Sequence, residues 1–404
     1  MSRYDPFNPL SPQHHADPYL AYERLVAQGP LHRTRSGTWL VAGHDLATEI
    51  LKDPVFTKDY SASVSRAYGA DFSFSLALRT VSNSFFFDGQ KANGEIRRHF
   101  SRMLSATRLT SHLEALRELA GSSFSRYWAG AQDSPGEFAI HFTLYALSEL
   151  FSIPFSLLLE LRSLSAGLLT LIDCSRLSRA RLAKLDVCIA STQGRFFAYL
   201  ESAQAQQSEC VAGLLQLAQT HRLALESIFA DLLFVLVVGF ESTAALIGEM
   251  AWFLTRHPET AHDLAHHPGC EIAAVEEFLR LFPSVHFVTR RAATDVEKQG
   301  STFRKSDFVL VLIAAANRDP QVFPAPAEFS LTRPKSSRCL TFSPGPHHCI
   351  GATLARQEAS VALQFLLHQR AVLESLSRKS PSWRSLGAFR SLYRHTTDDM
   401  GIVA

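Results

Sequence analysis

Apolar residues recur at three- and four-residue spacing through most of this 404-residue chain. Such spacing is typical of helices that bury one face. It predicts helices at 17–28 and 44–52, nearly continuous helix from 95 to 270, and a further helix from shortly after Cys349 to about residue 368. The middle of the chain is therefore predicted to be helical.

Short strands are predicted towards both ends of the sequence. Residues 31–35 and 38–42 have the length and pattern of a hairpin, and residues 281–312 and the C-terminal region favour further short strands. Residues 56–92 are rich in Ser, Phe and Gly without steady periodicity, which predicts a long, partly irregular loop. No linker interrupts the pattern, so we predict one α+β domain over 1–404, mainly helical with a small β portion.

Composition narrows the class of protein. Apolar residues make up 46% of the chain and the net charge is +2, which gives no reason to expect nucleic-acid binding. The longest apolar run, Leu232 to Phe240, is much shorter than the roughly 20 residues that span a bilayer. Six cysteines without CxxC spacing argue against a disulfide framework or a zinc finger. A cytosolic protein without a membrane anchor is predicted.

One cysteine is placed for chemistry. Cys349 ends the loop Thr-Phe-Ser-Pro-Gly-Pro-His-His-Cys-Ile-Gly, and a helical sequence follows at once. Backbone N–H groups at a helix N-terminus favour negative charge, so the thiol is placed to become a thiolate. A thiolate can ligate haem iron, join a zinc site or act as a nucleophile, and the loop alone does not choose between these uses.

An acid and a base recur three residues apart in a helical segment. Glu277 and Arg280 lie on one face of the predicted helix and can pair. Taken alone, this pattern favours an ordinary surface ion pair, which contributes little to stability.

The long apolar helix carries an unusual polar interruption. Gly239 lies in its middle, and Glu241 and Ser242 follow. Glycine inside a helix costs about 1 kcal/mol relative to alanine. Either the helix lets a ligand approach its backbone and supplies a proton path there, or Gly239 marks a helix–helix contact and the polar residues face solvent.

Together, in order and spacing, these segments resemble the cytochrome P450 family over nearly the whole chain. Phe342, Gly345, Cys349 and Gly351 match the family's cysteine loop. Glu277 and Arg280 match its Glu-x-x-Arg pair, with Arg333 as the third member of that triad. Gly239, Glu241 and Ser242 match its oxygen-activating helix. The resemblance implies the P450 fold, a triangular helical prism enclosing haem b (iron protoporphyrin IX).

The resemblance implies that Cys349 is the axial ligand to haem iron, a thiolate ligation known for this family. Phe342 is then expected beside the sulfur, and Gly345 and Gly351 in the loop around it. A zinc site needs more ligands, and His347 and His348 are adjacent, so they do not easily converge with Cys349 on one ion. A cysteine nucleophile is typically activated by a histidine distant in sequence and does not lie in such a loop.

The haem propionates require positive partners. By resemblance, His347, Arg290 and Arg97 supply them. Relatives often have a histidine four residues before that last arginine, and this chain has Asn93 there, so that contact is expected to differ. The alternative to a propionate contact for Arg97 is a position on a solvated helix face.

The family's acid–alcohol pair in the central helix organises proton delivery during oxygen activation. Here the pair is expected to be Glu241 and Ser242. Serine stands where threonine is commoner, and Val238 where alanine is commoner, so the groove beside Gly239 is expected to be narrower.

The implied reaction inserts one oxygen atom from O2 into a substrate and needs two electrons. The sequence has no Cys cluster for an iron–sulfur centre and no dinucleotide-binding glycine motif. Electrons are therefore expected from a ferredoxin and its reductase. Arg97, Arg98, Lys335 and Arg338 are candidates for the basic docking patch of a monomeric protein.

The substrate space is predicted to be apolar. If Arg290 reaches haem, strand alternation puts His286 and Val288 beside the substrate, although His286 could equally be bonded locally at a strand edge. The predicted lining residues are Val235, Val238, Val285, His286, Val288 and Phe389. Phe85, Phe86 and Phe87 are candidates too, with plain core as their alternative, and Arg390 could contact a polar end. A hydrophobic small molecule of specialised metabolism, free or carrier-bound, fits such a lining.

Two other functions stay open at this point. One is a P450-type oxidase that performs coupling, desaturation or peroxide-driven chemistry. The Glu241–Ser242 pair argues against a peroxide-only enzyme, which usually lacks it. The other is a non-enzymatic haem-binding sensor or carrier that uses the same thiolate.

Overall fold

The computed structural model describes most of the chain. The described residues are 7–9, 11–58, 60–69, 72–87, 91–127, 135–172, 177–333, 339–369, 383–386 and 388–392. They form two compact units, each built from non-contiguous segments. One unit comprises Met1–Asp59, Gly248–Cys349 and Leu366–Leu392, and the other comprises Tyr60–Ile247, Ile350–Phe365 and Tyr393–Ala404. The single domain predicted over 1–404 stays a prediction.

Helices account for most of the described residues. They are α1 Pro12–Ala16, α2 Tyr19–Gln28, α3 His44–Lys52, α4 Tyr60–Tyr68, α5 Leu76–Ser82, α6 Lys91–Met103, α7 Ala106–Leu109, α8 Leu113–Tyr127, α9 Pro135–Phe151, α10 Phe155–Ile172, α11 Arg179–Leu200, α12 Ala203–Gln207, α13 Glu209–His221, α14 Leu225–Arg256, α15 Pro258–His266, α16 Glu271–Leu281, α17 Ile313–Ala316 and α18 Ala352–His368. A single 3₁₀ turn, Thr110–His112, separates α7 from α8 within the described part of the chain.

The strands are short. They are β1 Leu31–Arg33, β2 Trp39–Val41, β3 Phe56–Thr57, β4 Val288–Ala292, β5 Val296–Lys298, β6 Ser301–Phe303, β7 Phe308–Val311, β8 Trp383–Leu386 and β9 Phe389–Leu392. The predicted class, mainly helical with a small β portion, is therefore confirmed.

A five-stranded sheet organises the first unit, in the order β1-β2-β7-β4-β3. Strand β2 runs parallel to β7, with Leu40 opposite Leu310, and β4 runs antiparallel to β7, with Arg290 opposite Val309. Its apolar side chains pack with α3 in a cluster that includes Ile50 and Phe56. The sheet thus gives β4 a rigid position, and with it the predicted site residue Arg290.

The second unit consists of helices. The upstream part of α14 belongs to it, and the helix is so apolar that Ile228 to Ala251 are buried at all but four positions. A helix that is apolar on all sides is expected in the core of a large protein or in a membrane. Helices α10 and α14 both have the length and hydropathy of membrane spans, but 50% and 72% of their most apolar windows are buried within the protein. Core packing accounts for the apolar surface of α14.

The segment 56–92 differs from its prediction. It contains β3, α4, α5 and the start of α6 rather than one irregular loop. Ser75 caps α5 by accepting from Leu78 N–H, and Asp186 of α11 accepts from Ser75 Oγ at 2.7 Å and from Ala77 N–H at 2.8 Å. Because part of this cap comes from a helix about 110 residues away, local periodicity could not reveal α5.

Candidate active site

The loop before Cys349 is closed by its own backbone. Cys349 N–H donates to Phe342 O at 2.9 Å, His348 N–H donates to Gly345 O at 3.0 Å, and Ser343 N–H donates to Leu340 O at 2.8 Å. Cys349 itself is exposed. The loop therefore fixes the cysteine backbone and leaves the thiol side accessible.

Gly345 allows the loop to approach α3. Its φ of +93° lies in the region that L-residues rarely adopt. A Cβ at this position would lie 2.5 Å from Leu51 O and 2.8 Å from Lys52 Cα. Both the backbone conformation and the close approach therefore require glycine.

Arg290 is a buried cation beside this loop. Its side chain projects from β4 and is 2% exposed. Nη1 donates to Thr289 O at 2.8 Å and Nη2 lies 3.4 Å from Ser343 Oγ, while Nε has no partner among the described residues. Burial lowers the pKa of Arg290 to about 10. A buried guanidinium that lacks a described carboxylate partner suits an anionic ligand.

The remaining residues of the cysteine loop differ in exposure. Phe342 and His347 are partly buried and His348 is exposed. Gly351 O accepts from Ala355 N–H at 2.9 Å, in the first turn of α18.

No group of three His, Cys, Asp or Glu side chains within the described segments is arranged to hold a metal ion, so the zinc alternative lacks a ligand set there.

Glu277, Arg280 and Arg333 meet in the interior of the first unit. Arg280 binds Glu277 through two hydrogen bonds of 2.7 and 2.9 Å, and Arg333 Nε donates to the same carboxylate at 2.9 Å. Burial acts to raise the pKa of Glu277, but the hydrogen bonds and charges of the two arginines outweigh it and hold the pKa below its ordinary value. The alternative of an exposed surface pair does not describe this arrangement.

The two arginines of the triad also form hydrogen bonds with the turn-rich segment that leads to the cysteine loop. Arg280 donates to Asn317 O at 3.1 Å and to Pro326 O at 2.6 Å, and Arg333 donates to Pro324 O at 2.6 Å. Asn317 in turn accepts from Leu340 N–H at 2.7 Å. Arginine donors thus satisfy the backbone carbonyls of a segment that has little secondary structure.

Helix α14 presents one accessible stripe. Between Ile228 and Ala251 every residue is buried except Phe234, Val238, Gly239 and Ser242. Positions three or four residues apart share a helix face. This stripe therefore borders space that protein atoms do not fill, and three of the residues singled out from the sequence lie on it.

The glycine of the stripe is not forced by a close helix contact. A Cβ at Gly239 would have its nearest neighbour at 3.6 Å, the Leu147 side chain, which is an ordinary packing distance. Glu241 is fully buried, and Ser242 Oγ donates to Val238 O at 2.7 Å. Of the two explanations for this polar interruption, the contacts favour ligand approach to the helix backbone.

A second acid near this motif was missed in the sequence. Glu358 of α18 is 1% exposed, and Thr243, next to Ser242, hydrogen-bonds to it. Burial raises the pKa of Glu358 to about 8, against the opposing effect of the Thr243 hydrogen bond. The burial of Glu358 could have been predicted from its spacing in the sequence. It lies three or four residues from Leu354, Val361 and Ala362, which occupy the buried face of α18.

His286 lies elsewhere than strand alternation suggested. Strand β4 begins at Val288, so the alternation does not extend to His286, which is 3% exposed. Its Nδ1 lies 3.2 Å from Tyr22 Oη, and its ring packs on Tyr19 and Tyr22. Burial, aided by the charge of Arg390, lowers the pKa of His286 well below its ordinary value. The local alternative agrees with these contacts, and the contact of His286 with substrate stays a prediction.

Val285 and Phe389 are joined by an isolated β-bridge, and Arg390 N–H donates to Ser284 O at 3.0 Å. The Arg390 side chain is buried, with Nη2 3.4 Å from Ala16 O. Its charge opposes the rise in the pKa of Glu249, which burial brings to about 7. Arg390 is thus an internal cation of its unit.

The remaining residues that were predicted for the site or the docking patch differ in their exposure. Val235 is buried, and Val288 is partly buried against the core of the sheet. Arg97 is partly buried in α6, and Arg98 is 70% exposed beside Glu95. The Asn93 side chain, Lys335 and Arg338 lie outside the described part of the chain.

The sequence of this chain is similar to those of bacterial cytochromes P450. The Cytochrome P450 family model matches residues 263–382, which include the triad and the cysteine loop. The chain is 28% identical to Cytochrome P450 144 of Mycobacterium tuberculosis, over 89% of this chain and 84% of that protein. It is 26% identical to the Biotin biosynthesis cytochrome P450 of Bacillus subtilis, over 93% and 94% of the two chains.

A solved structure agrees in fold. P450BioI, crystallised in complex with an acyl carrier protein carrying hexadec-9Z-enoic acid, superposes with a TM-score of 0.82 at 23% identity. The match covers 94% of this chain and 98% of that one. The predicted P450 fold is therefore confirmed.

Proposed function

Since this chain belongs to the cytochrome P450 family and is a haem-dependent monooxygenase of that family, we propose that it oxidises a hydrophobic small molecule of specialised metabolism in the cytoplasm. It takes its electrons from a separate ferredoxin and ferredoxin reductase. The proposed cofactor is haem b, with Cys349 as its axial ligand. Such a haem activates O2, and the thiolate ligand donates electron density that favours O–O cleavage.

The observation that carries this proposal is the pairing of Cys349 with Arg290. One loop holds an exposed cysteine, and the same loop contacts a buried guanidinium whose Nε has no described partner. A haem needs both a thiolate and a counter-charge for its propionates. Residues of this unit therefore fit the cofactor, with Cys349 as ligand, Arg290 and His347 as propionate partners, and Phe342 and Gly345 as supports of the loop.

On the oxygen side we assign the roles to α14. Its accessible stripe leaves room at Gly239 and Val238, and Ser242 presents a hydroxyl on that stripe. Ser242 Oγ donates its hydrogen to Val238 O, so its lone pairs can accept a hydrogen bond from a water molecule. In this way the hydroxyl can take up a proton from water and pass a proton on. Glu241 supplies the proton, and Val238 limits the space next to the glycine.

The expected substrate contacts are apolar. Val235, Val238 and Phe389 offer no hydrogen-bond donor from their side chains, so a hydrophobic ligand loses no polar partner when it binds there. The relative crystallised with an acyl carrier protein motivates testing carrier-bound as well as free acyl substrates.

The test uses the haem-loaded protein and two matched cysteine variants. Cys349→Ser should lose the CO-reduced spectrum of thiolate-ligated haem, whereas Cys339→Ser, ten residues upstream in a partly buried position, should keep it. An unchanged spectrum in Cys349→Ser would refute the ligand assignment.

Turnover then separates an enzyme from a sensor. With NADPH, O2 and a surrogate ferredoxin system, ligands that shift the haem spin state should be oxygenated. Ser242→Ala should lower product formed per NADPH consumed. A thiolate spectrum without turnover of any bound ligand would favour the non-enzymatic alternative, and coupled or desaturated products without oxygen insertion would favour the oxidase.

A further inference from the structure

Asp231 is a buried acid in the most apolar part of α14. It is 1% exposed, and its neighbours Ala230, Leu232 and Leu233 are buried. Its Oδ1 accepts a hydrogen bond of 2.6 Å from the backbone N–H of Phe85. A carboxylate is costly to bury unless strong hydrogen bonds compensate it, and a short bond to an N–H is of that kind.

The residue that Asp231 holds begins a run of three aromatic side chains. Phe85 is buried and stacks on Phe100, with ring centroids 5.5 Å apart. Phe86 stacks on Phe234 at 4.5 Å, and Phe87 packs on Tyr60 at 4.3 Å. Plain core therefore describes Phe85, but Phe86 and Phe87 remain partly accessible.

The contact partner of Phe86 is itself part of the accessible stripe of α14. Phe234 is the first member of that stripe, one turn before Val238. Asp231 lies three residues before Phe234, so the carboxylate and the aromatic ring are neighbours on the helix surface. The hydrogen bond of Asp231 thus joins α14 to the residue that directly precedes Phe86 and Phe87.

We propose that Asp231 is a positioning residue that holds Phe86 and Phe87 as the aromatic wall of the substrate space, and so sets the size of the apolar ligand admitted beside Gly239. This rests on the proposed function, which identifies the stripe as the substrate side. The wall offers ring faces and no side-chain hydrogen-bond donor. The ligand portion that it receives is therefore apolar, and flat groups that stack on an aromatic ring suit it best.

The experiment compares Asp231→Leu with Asp231→Asn in the haem-loaded protein. Asn keeps an oxygen that accepts from Phe85 N–H, whereas Leu has similar volume and no acceptor. Ser84→Ala is the matched control, because it removes a hydrogen bond to Val81 O within the same segment and leaves the link to α14 intact. The probes are imidazole, 4-phenylimidazole and a triphenylmethyl imidazole, whose binding to the haem iron is followed optically.

Two results are expected. Hydrogen exchange at residues 85–87 should accelerate about 10- to 100-fold in Asp231→Leu, as expected for loss of one charge-assisted hydrogen bond, and stay close to wild type in Asp231→Asn and Ser84→Ala. The ratio of the Kd of the bulky probe to that of imidazole should fall about tenfold in Asp231→Leu, because the loosened wall admits the larger ligand.

Faster exchange with an unchanged Kd ratio would show a purely structural role and overturn the proposal, as would no change in either quantity. If Asp231→Leu does not fold, Asp231→Ala is judged by the same criteria. Failure of all three probes to bind the wild-type protein would instead count against the proposed function, so the two failures are distinguishable.

Discussion

At the scale of single residues, three buried ionisable side chains contact the segments that were predicted to form the site. Arg290, Asp231 and Glu358 are each at most 2% exposed, and each is linked to a predicted site segment. A buried charge persists only where other groups compensate it or where it binds a ligand. Sequence spacing indicated the pair of Glu277 and Arg280, but the burial of these three residues could be seen only in the folded chain.

Glu358 makes stability depend on pH. Its pKa of about 8 in the folded protein lies above that of an unfolded carboxyl, so the folded state binds the extra proton between these values. The group's contribution is fully present below the unfolded pKa and is lost as pH rises through about 8, at up to about 1.4 kcal/mol per pH unit.

Glu358→Gln should remove this dependence, because the amide stays neutral. Urea unfolding from pH 5 to 8 should show wild type losing stability relative to the variant as pH rises. Glu118→Gln, at an exposed site on α8, serves as the control and should track wild type. Parallel curves for wild type and Glu358→Gln would contradict the assignment.

At the scale of elements, the cysteine loop and α14 use glycine for different reasons. Gly345 is required because a Cβ at this position would lie only 2.5 Å from the backbone oxygen of Leu51 in α3. Gly239 meets no such neighbour, and it lies on the stripe that the helix leaves accessible. The first glycine therefore serves the packing of the loop, and the second keeps space beside the helix.

Gly345→Ala should destabilise the protein and weaken haem retention, because the Cβ would overlap Leu51 O and the loop would have to move. We expect a loss of about 2–4 kcal/mol in unfolding free energy and a lower haem-to-protein ratio. Gly269→Ala is the matched control. Its φ of +91° is similar, but a Cβ there meets nothing within 4 Å, so only the backbone strain of about 1–2 kcal/mol is expected. Equal losses in both variants would rule out the close approach as the cause.

At the scale of the whole molecule, we expect charge to govern the docking of the proposed electron donor. The net charge is only +2, so recognition has to rely on local patches. Among the four basic residues predicted to dock the donor, two lie in the described part of the chain: Arg97 is partly buried and Arg98 is exposed. The Arg98 guanidinium lies 3.8 Å from the Glu95 carboxylate.

Arg98→Glu should slow reduction by an acidic ferredoxin several-fold at low salt, and the difference should vanish at high ionic strength, where surface charges are screened. Stopped-flow reduction at several salt concentrations measures this. Arg117→Glu, an exposed arginine on α8, carries the same charge change as a control. A salt-independent defect, or equal defects in both variants, would remove Arg98 from the docking patch.

The sequence by itself determined the helices of regular period, the hairpin at residues 31–42, and the cysteine loop with its glycine. These features depend on neighbours a few residues apart, and spacing records such neighbours directly. It also placed Glu277 and Arg280 on one helix face. The spacing alone favoured an exposed pair, and it was the family resemblance that implied the triad with Arg333, which the structure buries.

Only the tertiary structure decided which faces are buried and which remain open. It placed His286 against Tyr22, capped α5 with Asp186, left four residues accessible in the buried part of α14 between Ile228 and Ala251, and joined Asp231 to Phe85. The partners in each of these contacts are more than 100 residues apart, or, for α14, the open face depends on what the rest of the chain covers. Local spacing carries no record of such partners, and for that reason the accessible stripe of α14 could be identified only from the fold.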